Sequence, residues 1–269
     1  MSDLYNATLI ARIEITPRLA IFRVRVDDRV FDFTPGQYTV LGLTGEAPKL
    51  PEAGGSDALA ADPKKLIKRA YSISSGSRER DFLEFYVSLV TSGELTPRLF
   101  ALPEGGRLFV GGKPKGLFTL AGVPAEKAVL LVATGTGLAP YVSMLRTHLL
   151  DAPDRRLAVL HGASYSWDLG YRGELESLSR IRPHCRYLPI VSRPADDPDW
   201  GGRTGRLTTW LARADLAEAC GFPIDPGQAH VFLCGNPGMV EEAARLLEAR
   251  GYAQGARANA GPLHLEKYW

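Results

Sequence analysis

The chain has 269 residues, 45% hydrophobic and 23% charged, which suffices for one large core or two modest ones, and two domains is the expectation at this length. Its formal net charge of +2 neither demands a nucleic acid nor rules out an acidic protein docking on a local basic patch. Cys185, Cys220 and Cys234 are too far apart for a dense disulfide framework or for the four-thiolate spacing of an iron–sulfur cluster, and no stretch reaches the ~20 apolar residues of a membrane helix.

Residues 1–15 alternate polar and apolar positions with no basic region leading into an apolar run, so no signal peptide is expected and a reducing, cytoplasmic setting is. Residues 7–40 carry short β-rich runs, clearest over 20–26, broken by Asp27-Asp28 and Pro35-Gly36, the punctuation of a meander. The stretch 44–68, rich in Gly, Pro, Ala and charge, reads as a surface insertion that supplies no strand. Strands are expected at 82–90 and 107–110 on either side of a helical segment at 96–102, and sheets of this kind close into small barrels.

After Gly122 the rhythm becomes strand, helix, strand: 128–133, 141–150, 157–162, 173–179 and 185–192, continuing through 207–213, 229–234 and the amphipathic 239–250. Alternation with near-continuous apolar strands implies a parallel sheet covered on both faces. The expected fold class is therefore two-domain, β plus α/β: an antiparallel β-barrel over 1–120 and a doubly wound parallel sheet over 121–269, with a tail at 259–269.

Three local features point to chemistry. The turn Ala133-Thr134-Gly135-Thr136-Gly137-Leu138 follows an apolar strand and opens a helix; its glycines admit either a tight bend or a pyrophosphate lying on helix N–H groups. A second such turn, Cys234-Gly235-Asn236-Pro237-Gly238, places Cys234 at the end of another strand, either as a small buried hydrophobe or as a neighbour of a nicotinamide. In the β half, Arg69-Ala70-Tyr71-Ser72 sets a cation and a flat aromatic on one face of an extended segment, where guanidinium suits phosphate and a phenol suits a flavin ring.

Arg69-Ala70-Tyr71-Ser72, Gly93-Glu94-Leu95-Thr96, Thr134-Gly135-Thr136-Gly137, Cys234-Gly235-Asn236-Pro237 and the terminal Tyr268-Trp269 together resemble the bacterial ferredoxin (flavodoxin)-NADP reductases, in family order and over nearly the whole chain. The resemblance implies FAD on the barrel and NADP on the α/β domain. It implies FAD contacts at Arg69 (pyrophosphate), Ala70, Tyr71 (ring), Ser72 (near N5), Tyr86, Glu94, Leu95, Thr96, Thr136, Tyr268 and Trp269. It implies NADP contacts at Thr134, Gly135, Ala163, Ser164, Ser192, Arg193, Arg206, Asn236, Pro237, Gly238 and Glu242. Ser72, Cys234 and Trp269 are the implied catalytic residues, Trp269 as a gate stacked where nicotinamide must sit, with Glu266 as a proton-handling candidate or a solvated carboxylate.

The function so implied is an FAD-dependent oxidoreductase moving electrons between NADP(H) and ferredoxin or flavodoxin, a transient protein partner. The chain is expected to be a monomer, without nucleic acid, membrane or metal partners. Alternatives are the reductase component of an oxygenase, a general NAD(P)H-flavin reductase, or a non-catalytic nucleotide-binding redox sensor. Two departures stand out: Ser164 falls where the family carries a third arginine, which weakens the preference for NADPH over NADH, and segment 44–68 either contacts the FAD adenine or merely protrudes.

Overall fold

The structure, a computed structural model, describes residues 4–28, 30–53, 63–152, 154–255 and 261–267. The N-terminal part contains β1 (Ala7–Thr16), β2 (Leu19–Val26), β3 (Tyr38–Thr44), β4 (Leu66–Ser72), β5 (Leu83–Ser88), α1 (Thr96–Ala101) and β6 (Arg107–Val110). They form one antiparallel sheet in the order β4-β3-β6-β1-β2-β5, and an Ile73–Phe85 bridge brings its two ends together.

Strand β2 explains how one apolar run serves two cores. Successive side chains leave a strand on opposite faces, so Ala20, Phe22 and Val24 fill the barrel interior, while Leu19 and Ile21 join the cluster under the second sheet. Strand β5 divides in the same way, with Phe85 and Val87 inside the barrel and Tyr86 turned to the second sheet.

The reading of 44–68 as strandless is corrected at both ends. Thr44 closes β3 and Leu66-Ile67-Lys68 open β4, paired as Thr44↔Leu66, Leu43↔Ile67 and Gly42↔Lys68. Ile67 alone among these β4 residues faces the barrel core and its lysine neighbour is exposed, so the local pattern was too short to register as a period of two. Residues 54–62 of the expected insertion lie outside the described residues.

The C-terminal part contains β7 (Ala128–Thr134), α2 (Ala139–Asp151), β8 (Leu157–Ala163), α3 (Arg172–Ile181), β9 (Cys185–Val191), β10 (Arg203–Thr204), α4 (Leu207–Leu211), α5 (Leu216–Cys220), β11 (Ala229–Gly235), α6 (Pro237–Glu248) and β12 (Leu263–Lys267). All six strands run parallel in the order β10-β9-β8-β7-β11-β12. Part of the expected tail is thus β12, an edge strand in register with β11, pairing Cys234 with Glu266.

The barrel and this sheet meet through a buried polar network as well as an apolar cluster. Glu84 of β5, 1% exposed, accepts from Arg146 of α2 (2.6 Å), Arg23 of β2 (2.8 Å) and the Tyr171 hydroxyl (2.9 Å). Arg146 also grips Glu174 of α3 through two bonds of 2.7 Å. Burial alone would push the Glu84 carboxyl up, but Arg146, Arg23 and Tyr171 together hold it below its ordinary value. Tyr171 adopts a left-handed φ of +60°, disfavoured outside glycine, and its hydroxyl is held by both Glu84 and Ser74. Beside it, Gly170 N–H donates to the Tyr86 hydroxyl at 3.1 Å.

Candidate functional site

Two cavities open side by side where the carboxyl ends of the parallel strands face the barrel, the place where ligands of doubly wound sheets bind. The first, about 690 Å³, is lined by Arg69, Ala70, Tyr71 and Ser72 of β4, by Tyr86, Val87 and Ser88 of β5, by the 90–96 loop, and by Thr136 from the opposite domain. The second, about 830 Å³, is lined by Thr134 and Gly135, Gly162 to Ser164, Ser192, Arg206 and, after β11, Asn236, Gly238 and Glu242; Thr16, Arg18, Leu19, Ser88 and Leu89 close it from the barrel. Ser88 lines both cavities and the 134–136 turn touches both, so a single wall separates them.

Of the residues expected to hold FAD, every described one lines the first cavity: Arg69, Ala70, Tyr71, Ser72, Tyr86, Glu94, Leu95, Thr96 and Thr136. Tyr268 and Trp269, including the expected gate, lie outside the described residues. The Arg69 guanidinium donates only to the carbonyl of Lys68 (2.8 Å) and meets no carboxylate among the described residues, which leaves its charge available to an anion. Thr96 is more committed: its hydroxyl bonds the main chain of Val90 in both directions (3.0 and 3.1 Å) and so closes the loop. The Glu94 carboxylate is occupied by Arg98 (3.2 Å) and Lys49 (3.5 Å).

Of the residues expected to hold NADP, Thr134, Gly135, Ala163, Ser164, Ser192, Arg206, Asn236, Gly238 and Glu242 line the second cavity. Pro237 starts α6 behind it, and Arg193 points aside, with its guanidinium on the Tyr165 hydroxyl at 3.3 Å. The two glycine turns interlock. Asn236 N–H donates to Thr134 Oγ1 (2.9 Å), and Asn236 caps α6 by accepting from Met239 N–H (3.2 Å). Gly137 packs so closely that a Cβ there would lie 2.5 Å from the carbonyl oxygen of Cys234. Because that neighbour is backbone and cannot swing away, Gly137→Ala is expected to lose about 1–3 kcal/mol of stability, read as a lower midpoint in thermal unfolding.

Beneath the shared wall, three side chains from three strands converge. Ser72 Oγ of β4 donates to Glu266 Oε1 of β12 at 3.2 Å, and Cys234 Sγ of β11 lies 4.0 Å from the same oxygen. Burial pushes the Glu266 carboxyl up to about 7, with the Ser72 hydrogen bond pulling the other way. The sequence flagged Glu266 only weakly, as one carboxylate near a tail. Arg18, Asp168 and Ser88 carried no sequence signal, because only the fold brings a hairpin turn, a 3₁₀ turn and a strand end to one cavity.

A sequence model of the oxidoreductase NAD-binding domain matches residues 131–245. The flavodoxin/ferredoxin–NADP reductase of Buchnera aphidicola subsp. Baizongia pistaciae is 31% identical over 251 residues, 93% of each chain. Ferredoxin–NADP reductase B of Sorangium cellulosum is 36% identical over 247 residues, 91% of this chain and 88% of its own. Among solved structures, a ferredoxin NADP+ reductase from Neisseria gonorrhoeae with bound FAD and NADP superposes with a TM-score of 0.81 at 23% identity, over 99% of both chains. No helix among the described residues is long and apolar enough to cross a membrane.

Proposed function

The chain belongs to the bacterial flavodoxin/ferredoxin–NADP reductase family, and from that premise we propose that it is an FAD-dependent oxidoreductase moving electrons between NADP(H) and a ferredoxin or flavodoxin. The observation that carries this reading is the shared wall: two cavities of nucleotide size that adjoin at Ser88 and the 134–136 turn, the first of them lined by Ser72, which is hydrogen-bonded to Glu266. Bound FAD would supply the exchange between two-electron hydride chemistry and one-electron transfer.

The residues present fit that group. Tyr71 and Tyr86 offer flat walls, Arg69 an uncommitted cation for a phosphate, and Ser72 a hydroxyl oxygen whose proton is directed to Glu266. Thr134, Gly135 and Asn236 line the second cavity at adjacent strand ends, where they would hold a dinucleotide with its nicotinamide end toward the wall shared with the first cavity. Glu266, with its carboxyl poised near neutrality, holds or releases a proton at Oε1 against Ser72 Oγ. Buried Cys234 packs against that carboxylate and keeps water from it.

The purified protein is expected to show flavin absorption bands that bleach on NADPH addition and bleach less with NADH, and to pass electrons on to ferredoxin or flavodoxin. A colourless protein that takes up no added FAD, or one that reduces neither acceptor, would overturn the reading. Arg206, the cation of the second cavity on the sheet side, is assigned to the 2′-phosphate. Its replacement by alanine is expected to lower the NADPH-to-NADH ratio of kcat/KM by about tenfold, the worth of one charge-assisted contact, in steady-state dye reduction.

A further inference from the structure

We propose that Arg18, on the β1–β2 hairpin of the barrel, binds the pyrophosphate of the nicotinamide nucleotide from across the cleft. The proposal rests on the reading of the second cavity as the coenzyme site. Among the described residues lining that cavity, Arg18 and Arg206 are the only cations, set against the acids Asp168 and Glu242. A pyrophosphate carries two negative charges and the 2′-phosphate of NADP adds up to two more, so one guanidinium at one end leaves the middle of the ligand without a counter-charge.

The hairpin is built to hold that second cation in place. Thr16 pairs with Leu19, so Pro17 and Arg18 form a two-residue loop, and Pro17 has its φ preset by its ring. Arg18 N–H donates to Thr16 Oγ1 (3.2 Å) and its carbonyl accepts from Leu89 N–H (2.8 Å), which pins the main chain from both sides. The guanidinium itself is exposed and makes no ion pair or hydrogen bond with any described residue. A rigid base with an uncommitted charge suits anion capture, because little ordering entropy is lost on binding.

Position selects the pyrophosphate over the 2′-phosphate. Leu19, next to Arg18, pairs with Ser88, the residue common to both cavities, which puts the hairpin close to the nicotinamide end. Arg206 lies beyond β10, three strands from β7, roughly 14 Å along the sheet at the usual strand spacing. A dinucleotide with its nicotinamide at β7 and its 2′-phosphate at Arg206 brings its pyrophosphate opposite the hairpin.

The test is titration of the FAD-loaded protein with NADP+ and with ADP-ribose, which carries the pyrophosphate but neither 2′-phosphate nor nicotinamide. Arg18→Ala is expected to weaken both ligands by the same factor, about tenfold, with a shallower dependence on salt, and Arg18→Lys to recover part of the loss. Arg206→Ala is expected to weaken NADP+ far more than ADP-ribose. Unchanged affinities in Arg18→Ala, or a loss confined to NADP+, would overturn the assignment. A parent protein that binds neither ligand would bring down the coenzyme reading itself, and the role of Arg18 with it.

Discussion

With Ser72 replaced by alanine, NADPH-driven reduction of the bound flavin is expected to slow by about a hundredfold in single-turnover absorbance measurements, the usual worth of one positioned donor or proton-transfer group. Ser72 is the only link in the structure between β4 of the barrel and the Glu266 carboxyl of β12, at 3.2 Å among the described residues. Alanine removes the hydroxyl offered to the flavin cavity and, in the same step, strands a buried carboxylate. Glu266 then loses the one contact that pulls its pKa down, so its proton is held still more tightly. The pH profile separates these two effects. In the parent enzyme, turnover is expected to fall as pH rises through about 7, where Glu266 gives up its proton. Glu266→Gln keeps the shape but cannot ionise, and should flatten that inflection; an inflection that survives the change would remove Glu266 from the proton path. Stability carries the same sign. A carboxyl raised from 4.5 to about 7 by folding adds stability that is whole below 4.5 and is lost as pH rises through about 7, so Glu266→Gln should unfold at a less pH-dependent temperature there.

The second large effect is expected at the interface between the two sheets. Removing one partner of a buried charge network weakens the compensation of the charge left behind, by less than the cost of a wholly unpaired ion. Arg146→Met does this to Glu84, which is 1% exposed and retains Arg23 and Tyr171, so a loss of about 1.5–3 kcal/mol is expected. Thermal or urea unfolding should report the loss directly. Because the folded Glu84 carboxyl sits below its unfolded value, its contribution is present above the ordinary carboxylate range and disappears as pH falls through the lowered value. The gap between parent and Arg146→Met should therefore narrow in acid. Tyr171→Phe removes one hydroxyl from Glu84 while the ring still packs on Tyr86 at 5.1 Å, so a smaller loss is expected there. An Arg146→Met protein as stable as its parent would show that the network contributes nothing net to folding.

Much of the architecture was legible because it is written in local patterns. The runs at 128–133, 157–162 and 185–192 are near-continuously apolar, broken by His161, Arg186 and Ser192, because β7, β8 and β9 are covered on both faces, and Gly137 and Gly235 mark backbone brought against backbone. Arg69 to Ser72 could be placed on an extended segment, with Arg69 and Tyr71 on one face, from alternation alone. The start of β4 was missed because one buried Ile67 among exposed lysines makes no period, and β12 was missed because it pairs with β11 across the intervening helix α6, a pairing that no local pattern records. Arg18 was invisible for a different reason, since an arginine on a hairpin turn looks like any solvated charge until a second domain closes over it.

The sequence by itself determined the two-domain class, the all-β character of the first half, the strand–helix alternation of the second and the residue types available for two nucleotides, because these follow from spacing and composition over a few consecutive residues. Only the tertiary structure decided which of those residues meet. Ser72 and Glu266 are 194 positions apart, and Glu84 meets Arg146 only because the barrel and the second sheet close on each other. Neither contact has a local signature, because its free energy comes from burying two distant elements together, and a chain read position by position carries no record of that.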